Sequence, residues 1–171
     1  HSTYRPVAVY ASDVNGDGIT ELPRAVLMAG YKDTSSSDAV YMLDWYAYGI
    51  GKVPAKVATT YQNISDAWSL LIDQKWHDRI TAIKANDGGL SYVEFFEYRK
   101  NKMSIPLFNI YCATGSNREY YAERTDLIQL GQTTQAIYFA KLTNEGEQSE
   151  LALTGDEIKA RFSLVNQAWN N

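Results

Sequence analysis

The sequence predicts an α+β protein: a β-rich, blade-like section over residues 1–58, then, over residues 59–171, an antiparallel sheet packed by a C-terminal helix. Three observations carry this expectation. Short runs rich in β-branched and aromatic residues alternate with turns containing Gly, Ser and Asn along most of the chain. The texture changes near Thr59, where Tyr61 to Ile72 opens a new unit with Trp68 and Leu70 on one face. Near the end, Thr154 stands three positions before Glu157, a capping box. Ile158, Phe162, Val165 and Trp169 then recur at helical spacing.

Taken in order, Val7 to Ser12 reads as a strand entering a tight polar loop, and Glu21 to Ala29 as the strand that leaves it. Lys32 to Asp38 is a Ser-rich turn. Ala39 to Tyr48 and Lys52 to Tyr61 are two further strands about a turn at Gly49 to Gly51, which makes four strands in the first section. Trp68 to Ile72 is a strand, Asp73 to Asp78 a short helical turn, and Arg79 to Ala85 a strand. Gly88 and Gly89 turn the chain into a long strand, Leu90 to Tyr98. Met103 to Thr114 follows, and Pro106 places it toward an edge or makes its start irregular, because proline cannot donate to a ladder. Gly115 to Ala122 is a loop with a helical turn, and Asp126–Gly131 with Gln135–Leu142 forms a hairpin.

The segment Asp13-Val14-Asn15-Gly16-Asp17-Gly18-Ile19-Thr20-Glu21 alone demands a particular chemistry. Oxygen-bearing side chains at Asp13, Asn15, Asp17 and Glu21 can converge on one hard cation if the chain coils tightly, and Gly16 and Gly18 permit the coiling. Ile19 would add its backbone carbonyl. Asn-Gly and Asp-Gly pairs alone would make a hairpin turn, but a bare turn does not call for three carboxylates and an amide in so short a span. All donors are hard oxygens, so the expected ion is Ca²⁺ in a structural role. An EF-hand is excluded. Its twelfth position, a bidentate acid, is Arg24 here, the upstream flank is β-prone, and Pro23 interrupts any helix about to start.

In these positions the loop resembles the calcium loop of FG-GAP or VCBS-type repeats, the blades of integrin-like β-propellers. The resemblance implies Asp13, Asn15, Asp17 and Glu21 as side-chain ligands and Ile19 as the carbonyl ligand, with Glu21 standing where Asp is commoner. One such blade cannot bury both faces of its sheet. Either the second section covers it or further blades lie upstream, and the lack of an initiating Met and of a leader agrees with an excerpt. The W-x-L unit at Trp68 and Leu70, the second Trp at 76, the antiparallel strands and the terminal helix resemble the PsbP-like sandwich of sheet and helices. The whole order, ending in Phe162, Leu164 and Trp169, is similar to the C-terminal part of uncharacterised lipoproteins of Gram-positive bacteria. This resemblance implies an exported protein at the bacterial cell surface, held to the membrane only through a lipid anchor outside this segment. It brings no activity with it.

Composition narrows the partners. A net charge of −4 and a pI near 5.2, with Lys and Arg scattered, leave no basic stripe to displace counterions, so a nucleic-acid partner is not expected. No apolar run approaches the length of a membrane span. Cys112 lies in an apolar run and reads as core filler. It has no second cysteine to bond. A modest-affinity Ca²⁺ loop is filled most readily outside the cell, where the ion is abundant.

The catalytic inventory is thin: His1, His77 and Cys112. His77 beside Asp78 gives the alternative reading, an extracellular hydrolase with its site in the second section, although neighbouring residues seldom face one another. Glu94 and Glu97 are three apart on a strand and point to opposite faces, which makes a poor acid/base pair. Trp45, Tyr46, Tyr48 and Tyr61, or Tyr120 and Tyr121, would suit a protein or carbohydrate ligand, or else form the contact between the two sections. The expected function is non-catalytic: a binding or structural module stabilised by Ca²⁺.

Overall fold

A computed structural model describes residues 6–35, 38–49, 53–87, 90–116 and 118–165. His1, Trp169 and the glycine turns at Gly51 and at Gly88-Gly89 lie outside the described residues. The first sheet contains β1 (Leu22–Leu27), β2 (Tyr41–Ala47), β3 (Ala55–Asn63), β4 (Trp68–Leu71) and β10 (Phe162–Leu164), in the order β1-β2-β3-β4-β10. The second contains β5 (Ile80–Asp87), β6 (Leu90–Arg99), β7 (Lys102–Thr114), β8 (Ile128–Gln132) and β9 (Ala136–Leu142), in the order β5-β6-β7-β9-β8. Every pairing is antiparallel.

The two sheets face one another across one core, so the molecule is a β-sandwich. Met42, Tyr61, Trp68 and Leu70 come from the first sheet, and Val93, Phe95, Phe108, Ile110 and Cys112 from the second. The Tyr61 ring stands edge-on to Phe95 at 5.4 Å, and Phe95 stacks on Phe108 at 4.9 Å. Removing a ring of this kind costs about 3–5 kcal/mol, since the cavity left behind adds to the lost transfer energy. Polar bonds tie the layers as well: Tyr31 Oη donates to the Ala82 carbonyl (2.7 Å), Tyr138 Oη to the Asp66 carbonyl and Ser91 Oγ to Asp66 Oδ2 (both 2.8 Å).

This architecture corrects the α+β expectation. Among the described residues the helices are α1 (Arg118–Ala122), α2 (Asn144–Glu147) and α3 (Gly155–Arg161), with one 3₁₀ turn at Gln74–Trp76. None is long enough to cover a sheet. No separate four-stranded blade forms either, because the first sheet takes its fifth strand, β10, from the far end of the chain. The change of texture at 58/59 falls inside β3, which pairs with β2 on one side and β4 on the other.

The terminal helix shows why. Its start is as expected: Thr154 Oγ1 accepts from the Glu157 N–H (3.2 Å) and Glu157 Oε2 accepts from the Thr154 N–H (2.8 Å). Ile158 is fully buried beneath it. At Phe162, however, the backbone turns extended (φ −83°, ψ 138°) and pairs with β4, Phe162 opposite Leu70 and Leu164 opposite Trp68. The Phe162 ring stacks on Trp68 at 5.9 Å. A strand pairing with an already folded neighbour outweighs the helical periodicity of Phe162 and Val165, which is a weak local preference.

One smaller expectation also changes, and another holds in one of its two forms, the irregular start at Pro106. Val7 to Ser12 is not a strand; only Ser12 pairs, in a single bridge with Glu21. Pro106 lies in β7, the central strand of its sheet, where a bulge opposite Phe95 and Phe96 accommodates it. Pairing of β7 with β9 begins only at Phe108, beyond the proline.

Candidate metal centre

The loop at Asp13 to Glu21 runs into β1, an edge strand of the first sheet. Its base is the Ser12–Glu21 bridge, with N–H···O distances of 3.2 and 3.0 Å. Gly16 (φ 76°) and Gly18 (φ 83°) take the left-handed turns that coil it. Asp13 is the hub: Oδ1 accepts from the N–H groups of Gly16 (2.7 Å) and Asp17 (3.1 Å), and Oδ2 from that of Gly18 (2.8 Å). These bonds, led by the one from Gly18, hold the Asp13 carboxyl below its ordinary range. Asp17 Oδ1 accepts from the Ile19 N–H at 2.8 Å.

The coiling brings ligand atoms of Asp13, Asp17 and Glu21 within 4.8 Å of one another. Asn15 is turned toward Asp17, its Nδ2 donating to Oδ2 (2.9 Å) and its Oδ1 accepting from the Asp17 N–H (3.1 Å). Ile19 lies in the same coil with its side chain half exposed. Asp13 and Asp17 face solvent, whereas Glu21 is fully buried. Glu21 Oε2 accepts from the Val14 N–H (2.9 Å), and Oε1 is buried without a hydrogen-bond partner. No Lys or Arg among the described residues pairs with any of the three carboxylates.

A buried carboxylate oxygen with no donor costs about 1–3 kcal/mol or more, and a divalent cation beside Asp13 and Asp17 removes that cost. The donor set fits the ion. All the atoms are hard oxygens, one is already stripped of water, and the negative charge exceeds what the loop's own N–H groups balance.

The remaining candidates sit elsewhere. His77 is exposed at the end of the 3₁₀ turn, and Asp78, at φ 58°, brings its Oδ2 to 3.1 Å from His77 Nδ1. Both ends of the neighbouring acid are taken: Asp73 Oδ2 accepts from Arg161 (2.6 Å) and Oδ1 from the Lys75 N–H (2.9 Å). Glu97 is buried and accepts from Ser149 Oγ (3.0 Å) and from Arg99, while Glu94 lies on the opposite face of the sheet. Burial pushes the Cys112 thiol up to about 11, consistent with a core residue. Trp45 and Tyr61 are buried and form no surface, Trp45 Nε1 donating to Thr60 Oγ1 at 2.9 Å. Tyr48 and Tyr120 are exposed. Sequence reasoning passed over Tyr92, Tyr111 and Phe139, whose registers put them side by side on the outer face of the second sheet.

No family model matches the chain, and neither a curated protein nor a solved structure matches it.

Proposed function

We propose that this chain is a non-catalytic binding or structural module of an exported, lipid-anchored cell-surface protein, stabilised by Ca²⁺ held at Asp13, Asp17 and Glu21. Asn15 and the Ile19 carbonyl complete the coordination on rearrangement of the loop. The observation that carries the metal reading is the partnerless Glu21 Oε1, buried beside two further carboxylates that no Lys or Arg among the described residues pairs with. The ion pins the chain entering the first sheet to the edge strand that leaves the loop, so its role is structural. A loop with two exposed ligands suits a calcium-rich extracellular setting.

Thermal melting with Ca²⁺ and with chelator tests the metal. Ca²⁺ at a hundredfold excess over Kd stabilises by about 2.7 kcal/mol, because it binds the folded form alone. In a chain of this size that is about 5–10 °C in Tm. Asp13→Ala together with Asp17→Ala removes the difference. A parent melting point unmoved by Ca²⁺ or chelator sinks the metal reading.

A further inference from the structure

The outer face of the second sheet carries two adjacent cross-strand rows. Tyr92, Tyr111 and Phe139 lie opposite one another on β6, β7 and β9, and Glu94, Asn109 and Lys141 form the next row along the same strands. Over these rows lie the end of α1, with Tyr121, and the segment after it, with Arg124 and Leu127. Between sheet and segment is a cavity of about 310 Å³, at the lower end of the range for small-molecule sites. Sheet faces of this kind are ordinarily either polar or covered. This one is aromatic, partly roofed and still open.

The chemistry of the lining is selective. The two cations are already used: Asp126 accepts from Arg124 Nε (2.9 Å) and a terminal Arg124 nitrogen (2.6 Å) and lies 3.1 Å from Lys141 Nζ. That pairing holds the roof to the sheet and leaves no unengaged cation for an anionic ligand. What remains unengaged is acceptors. Glu94 has no hydrogen-bond or ionic partner among the described residues, and Asn109 Oδ1 is buried without a donor while its Nδ2 donates to Tyr111 Oη at 2.9 Å. Beside them, the Tyr92 and Tyr111 rings lie 5.3 Å apart at 36°, and Phe139 is buried next to Tyr111 and Tyr121. The complement of this surface is a neutral molecule with an apolar ring face and several hydroxyl donors at its rim. An anion would meet Glu94, and a quaternary ammonium would bring no hydrogen-bond donor for its carboxylate.

We propose that this cavity is a carbohydrate subsite, in which a neutral pyranose unit packs on the half-buried Tyr92 and Tyr111 rings and donates hydroxyl hydrogen bonds to Glu94. The proposal rests on the reading of the chain as a binding module and supplies its ligand class. The site belongs to the sheet opposite the metal loop, so the two can be tested apart.

Isothermal titration calorimetry of the whole chain at millimolar cellotetraose, chitotetraose and mannotetraose, with tetragalacturonate and tetramethylammonium as charged controls, decides it. The expected result is saturable binding of at least one neutral oligosaccharide, weakened about tenfold or more by Tyr92→Ala and by Glu94→Gln and retained by Tyr92→Phe. Glu94→Gln keeps the shape of the sheet and carries the test alone if Tyr92→Ala melts early. Absence of binding by all three neutral probes, binding unmoved by Glu94→Gln, or preference for either charged control overturns the proposal. The Asp13→Ala, Asp17→Ala variant separates the readings. Sugar binding kept without any Ca²⁺ effect in the parent sinks only the metal, and a Ca²⁺ effect without sugar binding sinks only this site.

Discussion

Glu21 and Glu97 are both fully buried glutamates, one in each sheet region, and they are treated in opposite ways. Glu97 receives a hydroxyl from Ser149, a guanidinium from Arg99, and a second arginine, Arg79, 3.8 Å away. Among the described residues, Glu21 receives one backbone N–H on Oε2 and nothing on Oε1. Desolvating a carboxylate is costly wherever it happens, so the two sites differ in where the compensating charge originates. At Glu97 the protein supplies it. At Glu21 no described side chain supplies it, and under the proposed reading it comes from solution as the Ca²⁺ ion.

The comparison breaks most visibly at Glu97. Glu97→Ala leaves Arg99 and Ser149 without their buried acceptor, while Arg79 keeps Glu150, and is expected to destabilise the fold by about 3 kcal/mol, equally with Ca²⁺ and with chelator. Denaturant unfolding in both conditions checks this, and a Ca²⁺-dependent loss would contradict the assignment. Glu21→Gln sharpens the contrast by its sign. It abolishes the response to Ca²⁺, yet in chelator its stability equals or exceeds the parent by up to about 1 kcal/mol, because a buried charge without a partner has been removed.

A pH series tests the exposed carboxylates. Asp126 is held well below the usual carboxylate range, first by its hydrogen bond from Arg124 and then by Lys141, and Asp13 is held down by the loop N–H groups. A depressed folded-state pKa contributes stability that is fully present above the unfolded value of about 3.9 and is lost as pH falls toward the folded value. Stability of the parent therefore falls on acidification below about pH 4, and Asp126→Asn flattens that slope without changing the Ca²⁺ response. Melting curves across the acid range give the answer. The smallest effect is at the helix cap: Thr154→Ala costs about 1 kcal/mol, since it unpairs the Glu157 N–H. A loss far above that would mean Thr154 has a partner beyond the capping box.

Much of this was legible from local pattern. Nine of the ten strands lie in segments that alternate or carry β-prone residues, and the turn before Trp76, the hairpin of β8 and β9 and the capping box stand where spacing puts them. The β10 strand was not legible, because Phe162 and Val165 fit a helical face equally well until Trp68 and Leu70 offer a strand to pair with. The aromatic surface was misplaced for a related reason. Trp45 and Tyr61 look like ligand-facing aromatics in sequence, but they are buried, while the half-buried Tyr92 and Tyr111 become neighbours only through the register of two strands.

By itself, the chain's order of residues determined the coil at Asp13 to Glu21, since glycines at 16 and 18 and carboxylates four positions apart act within a few bonds of one another. Only the tertiary structure decided that Glu21 would lose its water while Asp13 kept it, and that the far end of the chain would close the first sheet. Burial and strand pairing depend on which distant segments meet, and no local spacing encodes that.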